Sequence, residues 1–300
     1  MTEHPGDGAG DHALAGELAE AAGRLLLDVR AEVGFADARA LKDTGDLRAH
    51  EYLMAALRER CPDDSVLSEE GRASVAGKRS RGGADRAPTG NTGDEARLAA
   101  ERVWIIDPLD GTREFSEEGR RDWAVHVALW ERGRLAAGAV ALPAQGLTLR
   151  TAAPGGALLV RDGSAGVPHR ETVLKAPAPE DGKLRIAVSR TRPPAFVEEL
   201  AKRLALDVEL VPIGSAGAKI SAVLLGEVDA YVHAGGQYEW DSAAPAAVAA
   251  AAGAHASRVD GSPLVYNRRD PRLPDILVCH PVSASTLLTG IRDVSDHLPD

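Results

Sequence analysis

The segment from Val103 to Thr112 constrains this chain more than any other, because it joins an apolar strand to two acids. Val103–Ile106 is a continuous apolar run, which is typical of a strand covered on both faces. The run leads directly into Asp107-Pro-Leu-Asp-Gly-Thr112. Gly111 permits a tight turn with positive φ, so the amides of Gly111 and Thr112 are predicted to open toward an anion at the start of a short helix.

Periodic patterns on either side of this segment predict a mixed α and β fold. Apolar spacing predicts one long helix from Asp11 to Gly34 and a second from Asp46 to Arg60. The first half then continues as a mainly antiparallel sheet, and the second half alternates strands and helices as a smaller α/β layer. The further predicted elements are the strands Ser65–Ser68, Trp123–Trp130, Leu135–Leu142, Leu147–Ala152, Ala157–Arg161, Leu184–Ser189, Val208–Val211 and Val228–His233, and the helices Ala195–Leu204, Ala216–Leu225 and Asp241–Ala252.

Two stretches of changed composition indicate how the chain is organised. Gly71–Ala99 is rich in Gly, Arg, Ser, Asp and Pro and is predicted to be a surface loop. Pro177–Asp181 predicts a boundary between a first lobe of residues 1–180 and a second lobe of residues 181–300. We therefore expect two lobes within an α+β or α/β class.

The composition excludes several classes of protein. The 300 residues carry 35 Lys and Arg against 45 Asp and Glu, a net charge of −10, whereas a general nucleic-acid binder needs a basic face. No apolar run approaches the ~20 residues of a membrane-spanning helix, and Met1–Gly10 lacks the features of a secretory signal. Two cysteines without CxxC spacing fit a reducing compartment. We therefore expect a cytoplasmic protein whose partners include neither a nucleic-acid polymer nor a membrane.

Five acids from separate parts of the sequence define a candidate metal site: Asp46, Glu69, Asp107, Asp110 and Asp241. Each has an ordinary structural explanation on its own, as a surface acid, a capping acid or an acid near a helix start. If the fold brings them together, however, two carboxylates ~4 Å apart repel by about 4 kcal/mol at an effective dielectric of about 20. Cations would then be needed between them, and oxygen ligands favour Mg²⁺ or Mn²⁺ over Zn²⁺. Such ions beside a phosphate-sized nest of amides imply phosphoryl chemistry.

The order of these motifs resembles the inositol monophosphatase superfamily of magnesium-dependent, lithium-sensitive phosphatases. The resemblance rests on Asp46, Glu69-Glu70, the string Asp107–Thr112 and the pair Trp240-Asp241. It extends over nearly the whole chain, from about residue 14 to residue 278. It implies a layered αβαβα sandwich of the sugar-phosphatase type, with the metal centre between two lobes.

Two further strings point to one branch of that superfamily. Asp110–Phe115 and Ala187–Thr191 are most similar to the CysQ branch of 3′-phosphoadenosine 5′-phosphate phosphatases, in its actinobacterial form. The resemblance implies a small anionic phosphate substrate, whose 3′-phosphate is removed to give AMP and phosphate in sulfate assimilation. Homodimers are common in the superfamily, so a homodimer is a candidate assembly.

The resemblance also implies roles for individual residues. The implied ligands of two or three Mg²⁺ ions, with Mn²⁺ as an alternative, are Glu69, Asp107, the Leu109 carbonyl, Asp110 and Asp241. Thr112, together with Asp46 or Glu69, would orient and deprotonate the attacking water. The implied substrate contacts are Gly111, Thr112, Ser189, Arg190, Thr191, Gly214, Ser215, Lys219, Glu239 and Asp241. The sequence departs from the family at Lys42–Asp46, a predicted loop that is several residues shorter than usual.

Other functions stay open at this point. Phosphatases of the same superfamily act on inositol 1-phosphate or fructose 1,6-bisphosphate, and the metal centre alone does not select the leaving group. Asp110-Gly-Thr112 is also similar to the motif of haloacid dehalogenase phosphatases, but those place one residue rather than two between their acids. A binding module without catalysis is expected to have lost an acid, and here all five are present. His126, within a strand, is predicted to be a packed or edge residue.

Overall fold

Most of the described chain lies in regular secondary structure. The computed structural model describes residues 8–70, 92–163, 170–180, 182–190, 195–204 and 206–294. The strands are β1 (Ser65–Ser68), β2 (Arg102–Asp110), β3 (Ala124–Glu131), β4 (Arg134–Leu142), β5 (Leu147–Thr151), β6 (Ala157–Arg161), β7 (Arg170–Leu174), β8 (Lys183–Ser189), β9 (Asp207–Ile213), β10 (Ala230–Tyr238), β11 (His255–Ser257) and β12 (Arg272–Cys279). The helices are α1 (Gly8–Val33), α2 (Ala38–Arg60), α3 (Thr92–Ala99), α4 (Thr112–Phe115), α5 (Ala195–Arg203), α6 (Ala216–Leu225), α7 (Glu239–Ala251) and α8 (Pro281–Asp293).

Strands β1 to β7 form one large sheet in which each strand pairs with the next along the chain. The β1–β2 pair is parallel, and the following pairs are antiparallel. Between Asp107 and Asp110 the pairing of β2 with β3 shifts register. This irregularity accommodates Pro108, which has no N–H to donate, and it changes the direction in which the neighbouring side chains point. As a result, β2 continues beyond the predicted end at Ile106.

The strands of the second half form a smaller sheet of order β11-β12-β10-β8-β9. β8 pairs in parallel with β9 and with β10, whereas β12 runs antiparallel to both β10 and β11. The predicted smaller α/β layer is therefore present, with an antiparallel side that the sequence did not reveal.

Helices cover both faces of both sheets and complete five layers. α1 and α2 pack against one face of the large sheet, where Leu26 and Leu53 join the same apolar cluster as Trp104. α6 and α7 lie between the sheets, and Val248 of α7 shares a cluster with residues of both sheets. α5 and α8 cover the outer face of the small sheet through Phe196 and other apolar residues. The αβαβα sandwich that the resemblance implied is confirmed.

The alanine-rich helix α7 approaches the large sheet very closely. Ala243 and Ala244 are fully buried, and a Cβ added to Gly138 of β4 would lie only 2.7 Å from the Cβ of Ala247. Small residues on both surfaces permit this approach, since no long side chain separates helix from sheet. The contact fixes the position of the first turn of α7, which carries Asp241.

The structure corrects the sequence predictions in the second helix. α2 begins at Ala38, where the Asp37 carboxylate accepts the N–H groups of Arg39 and Ala40 at 3.0 Å each. Lys42–Asp46 is therefore helical, and the prediction of a loop there is wrong. Leu47, which was predicted on the apolar face, is 54% exposed.

Other elements were missed because their sequence signals are weak. Thr92–Ala99 forms α3, so the predicted loop is wrong over these residues, while residues 71–91 lie outside the described ranges. β7 has mostly exposed side chains, and β12 contains Pro274 and Asp275, which interrupt an apolar pattern. β11 and α8 were also not predicted. Within the described ranges, none of the helices combines the length and the apolar character that crossing a membrane requires.

Candidate metal and phosphate site

Three of the five predicted acids converge at one point of the fold. Asp107 and Asp110 lie at the end of β2, and Asp241 lies in the first turn of α7. Their carboxylates can offer one oxygen each such that all three oxygens lie within 4.8 Å of one another. Asp107 and Asp110 are buried, and Asp241 is half-buried. The structure thus brings these three acids from distant parts of the sequence into one cluster.

Burial and mutual repulsion both raise the pKa values of two acids in this cluster. Burial is the main cause that raises the pKa of Asp107 well above its usual value, and the charges of Glu69, Asp110 and Asp241 raise that pKa further. Burial likewise raises the pKa of Asp241 to about 7, with the charge of Asp110 as the next cause. A bound cation would relieve both effects, because it favours the ionised form of every acid around it.

Asp110 differs from its neighbours because the protein itself stabilises its charge. Its Oδ2 accepts the N–H of Gly217 at 2.7 Å, and its Oδ1 accepts the N–H of Ala216 at 3.3 Å, both from the first turn of α6. Nε2 of His126 lies 3.2 Å from Oδ2. Burial alone would raise the pKa of Asp110, but His126 and the Gly217 amide outweigh it and hold that pKa below its usual value.

His126 is a functional candidate that the sequence analysis treated as a packed residue. Its ring is fully buried, and Nδ1 lies 3.0 Å from the carbonyl oxygen of Trp240. The ring therefore links Asp110 to the first turn of α7. Burial opposes a charge on this ring, but Asp110 and the Trp240 carbonyl outweigh it and raise the pKa of His126. The sequence signal was a titratable ring in an otherwise apolar strand, which alone does not indicate a function.

Glu69 and Asp46 approach the cluster from the end of β1 and from α2. Burial raises the pKa of Glu69 to about 7, although a hydrogen bond with Asp107 acts in the opposite direction. Burial, followed by the charges of Glu70 and Glu69, raises the pKa of Asp46 to about 8. Glu70, to which the sequence analysis gave no role, is thus the neighbouring charge with the largest effect on the pKa of Asp46. All five predicted acids interact electrostatically in one region.

The turn after β2 has the backbone shape that the sequence predicted. Gly111 has a φ of +85° and precedes the short helix α4. A Cβ at this position would also lie 2.8 Å from the Cβ of Ser215, so both conformation and space favour glycine. The Thr112 hydroxyl donates to the Leu109 carbonyl over 3.5 Å. A hydroxyl and a carbonyl therefore meet beside the acids.

A cavity of about 350 Å³ opens next to the acids. Its lining includes nine of the predicted site residues, namely Asp110, Gly111, Thr112, Ser189, Arg190, Gly214, Ser215, Lys219 and Asp241. Tyr231, His233 and Gln237 also line it, and these three were not predicted. We call this space the site cavity.

Lys219 places a cationic group at this cavity. Its side chain is buried, its Nζ donates to the Gly214 carbonyl, and Nζ lies 5.3 Å from the ring centre of Tyr231. Burial lowers the pKa of Lys219, while the nearby carboxylates of Asp110 and Glu114 act to raise it. An ammonium group held in this way suits an anionic ligand.

The loop before α6 is fixed by Asp122. The Asp122 carboxylate accepts the N–H of Gly214 at 2.6 Å, and the Asp122 carbonyl accepts the N–H of Ser215 at 3.1 Å. A Cβ on Gly214 would lie 2.4 Å from Cγ of Glu114. The Ser215 side chain accepts the N–H of Ala218 and caps α6.

Arg190 lines the cavity but is already paired within the protein. Its Nη2 donates to Glu114 at 2.9 Å and to Glu117 at 2.8 Å. Its neighbour Thr191 lies outside the described residues. The two carboxylates therefore already determine the direction of the Arg190 guanidinium, and any contact with a substrate would have to use that direction.

Glu239 has a different position from the other predicted substrate residues. It is 1% exposed, and its two carboxylate oxygens accept the N–H groups of Asn267 at 2.6 Å and Arg268 at 2.8 Å. It does not line the site cavity. The arrangement assigns it the anchoring of the 267–268 turn.

Comparisons with known proteins match this chain along nearly its whole length. A family model described as the Inositol monophosphatase family matches residues 13–294. A 3′-phosphoadenosine 5′-phosphate phosphatase of Mycobacterium leprae is 50% identical over 296 residues, which cover 95% of this chain and 94% of that protein. A 3′(2′),5′-bisphosphate nucleotidase CysQ of Escherichia coli is 32% identical over 225 residues, which cover 75% of this chain and 79% of that protein.

A solved structure supports the same grouping. The crystal structure of CysQ from Bacteroides thetaiotaomicron, a bacterial member of the inositol monophosphatase family, aligns with a TM-score of 0.71 at 25% identity. The alignment covers 91% of this chain and 97% of that chain. The similarity thus includes both sheets and the helices between them.

Proposed function

Because this chain belongs to the inositol monophosphatase family, a metal-dependent phosphatase family, we propose that it hydrolyses the 3′-phosphate of 3′-phosphoadenosine 5′-phosphate. The products would be AMP and phosphate, and the role would be in sulfate assimilation. The observation that carries this proposal is the identity, along nearly the whole chain, to a mycobacterial protein named for that activity. The cluster of acids beside a cavity supports it independently.

The residues present fit divalent cations that prefer oxygen ligands. Asp107, Asp110 and Asp241 offer oxygens close enough to share ions, and Glu69 and the Leu109 carbonyl adjoin them. This donor set fits two or three Mg²⁺ ions best, with Mn²⁺ second, because it contains neither thiolate nor imidazole ligands. When bound, such ions lower the pKa of water and neutralise charge that develops on the phosphoryl group.

The side chains around the cavity have separate tasks in this reaction. The carboxyls of Glu69 and Asp46 are the proposed acceptors of a proton from the attacking water, and bound cations would keep both carboxyls ionised because they favour the charged form of nearby acids. The Thr112 hydroxyl, held by the Leu109 carbonyl, orients that water. The ammonium group of Lys219 attracts the anionic substrate because it carries the opposite charge.

Comparison of three substrates tests the proposal. Phosphate release should be measured with 3′-phosphoadenosine 5′-phosphate, inositol 1-phosphate and fructose 1,6-bisphosphate in Mg²⁺, and then with added Li⁺. We expect the highest kcat/KM for the bisphosphonucleotide and inhibition by Li⁺. Preference for one of the other two esters would replace the proposed substrate, and no release from any of them would overturn the proposed activity.

Location and assembly are part of the same proposal. Cys61 and Cys279 are free thiols, which suits a reducing compartment, and we place the protein in the cytoplasm. A homodimer is the proposed assembly, and sedimentation of the purified protein would test it.

A further inference from the structure

An arginine of the first helix inserts among a group of aromatic side chains. The chain contains only three Phe and four Trp residues, yet the guanidinium of Arg30 in α1 lies 4.7 Å from the ring centre of Phe35. It also lies 5.7 Å from the ring centre of Phe115 and 5.5 Å from that of Trp123. Phe115 and Trp123 are fully buried and flank residues 116–122, which lead from α4 to β3. We call residues 116–122 the connecting segment.

The same guanidinium holds the backbone of the connecting segment. Its Nη2 donates to the Glu117 carbonyl at 2.8 Å, and its Nη1 donates to the Arg120 carbonyl at 3.2 Å. The segment contains no helix or strand, so these side-chain hydrogen bonds replace those that regular structure would supply. Within the part of the chain that the structure describes, no carboxylate forms an ion pair with Arg30. The planar fork of the guanidinium is therefore used for two carbonyl oxygens at once.

The connecting segment in turn holds two loops that belong to the small sheet. Arg190, which follows β8, donates to the Glu117 carboxylate at 2.8 Å. The Asp122 carboxylate accepts the N–H of Gly214 at 2.6 Å, and the Asp122 carbonyl accepts the N–H of Ser215 at 3.1 Å. Arg190, Gly214 and Ser215 all line the site cavity. One wall of the cavity therefore takes its position from a segment that Arg30 fixes.

Phe115 connects Arg30 to the turn at the end of β2. The Phe115 N–H donates to the Gly111 carbonyl at 2.9 Å. On the side of α2, a Cβ added to Gly45 would lie 2.7 Å from Cε1 of Phe115. The ring is thus enclosed between α2 and the guanidinium and has little space in which to move. The turn at Gly111, which also lines the site cavity, is held through this ring.

We propose that Arg30 is a positioning residue for the binding of an anion in the site cavity. Arg30 does not line the cavity, so it acts through the connecting segment and through Phe115. The acids depend on other contacts, since Asp110 accepts the Gly217 N–H and Asp241 accepts the Tyr238 N–H. Loss of Arg30 should therefore weaken anion binding more than metal binding. The proposal rests on the proposed function, because the anion is the phosphoryl group that this function transfers.

Two variants at this position separate hydrogen bonding from packing. Arg30→Met keeps an unbranched side chain against the rings but donates to neither carbonyl. In calorimetry with Mg²⁺, its affinity for inorganic phosphate should fall about tenfold, because the groups that line the cavity are displaced. Its affinity for Mn²⁺ should stay close to that of the wild-type protein. Arg30→Lys, whose ammonium lacks the fork that serves both carbonyls, should lose part of the phosphate affinity.

The control is Arg24→Met, the same substitution at an exposed position of α1, which should change neither affinity. Wild-type phosphate affinity in folded Arg30→Met, or equal losses of phosphate and Mn²⁺ affinity, would overturn the proposal. If Arg30→Met does not fold, Arg30→Lys decides the question, and wild-type phosphate affinity in that variant would overturn the proposal as well.

A double-mutant cycle tests whether Arg30 acts through the connecting segment. Asp122→Asn weakens the hold of the segment on the Gly214 N–H. If both residues position the same loop, the loss of phosphate affinity in Arg30→Met/Asp122→Asn should be clearly smaller than the product of the two single losses. A combined loss equal to that product would mean that the two residues act independently, and it would overturn the proposal.

These affinities do not depend on turnover, so they are separate from the test of the proposed function. A wild-type protein that bound phosphate but hydrolysed no ester would contradict the proposed function, while the same comparisons would still decide the role of Arg30. A wild-type protein that bound no phosphate in Mg²⁺ would overturn the proposal for Arg30, because the site cavity would then not bind anions.

Discussion

The acids of the cluster have different surroundings and therefore different roles. Asp107 accepts the N–H of Leu109 at 3.0 Å, and Asp241 accepts the N–H of Tyr238 at 2.7 Å. Asp110 instead receives two amides from the start of α6 and faces a buried histidine. Asp110 is consequently both a candidate metal ligand and the residue that joins β2 to α6.

We expect Asp110→Asn to reduce activity and stability together. The amide group has no charge for a cation and must turn an NH₂ toward donors that previously faced a carboxylate. Phosphate release should fall on the order of a hundredfold or more, and the free energy of unfolding should fall by about 1–3 kcal/mol. Asp28→Asn, at an exposed position of α1, is the control. Nearly normal turnover of Asp110→Asn in Mg²⁺ would show that the assignment is wrong.

His126 should act as a positioning residue for the metal site. His126→Ala removes the ring that lies between Asp110 and the Trp240 carbonyl, so metal affinity should fall about tenfold to a hundredfold. The free energy of unfolding should also fall by about 2–4 kcal/mol, because a buried space opens and polar atoms lose their partners.

Calorimetric titration with Mn²⁺ measures this effect separately from turnover. His126→Gln keeps a polar group of similar reach and should therefore bind metal more tightly than His126→Ala. If the role of His126 were purely structural, His126→Gln would be more stable than His126→Ala but would bind metal no more tightly. His255→Ala, at a half-buried position of β11, should bind metal normally.

At the scale of elements, the position of the start of α6 depends on its close contact with His126 and Asp110. A Cβ on Gly217 would lie 2.0 Å from Nε2 of His126, and the Gly217 amide donates to Asp110. The absence of a side chain therefore allows the helix to come within hydrogen-bond distance of the acid. The loop that precedes it, held by Asp122, sets the direction of approach.

Gly217→Ala should displace the start of α6 and disturb the site. We expect a loss of about 1–3 kcal/mol in the free energy of unfolding, and a decrease of about tenfold or more in kcat/KM, because Asp110 and Lys219 shift with the helix. Gly10→Ala makes the same substitution in α1, where nothing lies within 4 Å of the new Cβ. That control should be neutral or stabilising by up to about 1 kcal/mol. Equal behaviour of the two variants in urea unfolding would contradict this explanation.

The elements that could be predicted from sequence are those with strong periodic or continuous patterns. α1, β1 and β6 lie close to their predicted bounds because apolar spacing alone defines them. α2 was predicted too short, since its first two turns are polar and depend on the Asp37 cap. β12 is an internal strand of the small sheet despite its proline and charged residues, and only tertiary pairing explains it.

At the scale of the whole molecule, the candidate site is assembled from both halves of the chain. The acids could be predicted from the sequence because their chemical type and motif spacing are specific. The positions of His126 and Gln237 at the site could not, because they depend on which groups lie opposite them in space. The division into lobes near residue 180 stays a prediction, although each sheet does draw on its own side of that position.

The metal-free protein should become less stable as the pH rises. The pKa values of Asp46, Glu69 and Asp241 are about 8, 7 and 7 in the folded protein, against about 4 in an unfolded chain. The folded protein thus retains protons that the unfolded chain releases, so stability decreases between about pH 5 and pH 8. The decrease should be about 3 kcal/mol or more, since one pKa unit corresponds to about 1.4 kcal/mol.

Urea unfolding across this range, with a chelator and then with Mg²⁺, measures the effect. Mg²⁺ should remove most of the decrease, because it favours the ionised acids of the folded protein. Asp46→Asn should make the metal-free decrease smaller. A metal-free protein that gained stability over the same range would contradict the assignment of raised pKa values.

The contact of α7 with the large sheet has a consequence for how this protein can change. A Cβ on Gly138 would lie 3.0 Å from the Ala244 carbonyl oxygen as well as 2.7 Å from Ala247. No rotamer there can adjust to added volume, so the alanine surface works as a rigid spacer that sets the height of Asp241 over β2. A substitution that enlarges one of these two surfaces therefore needs a smaller residue on the other, and without it the added volume would both destabilise the fold and displace Asp241 from β2.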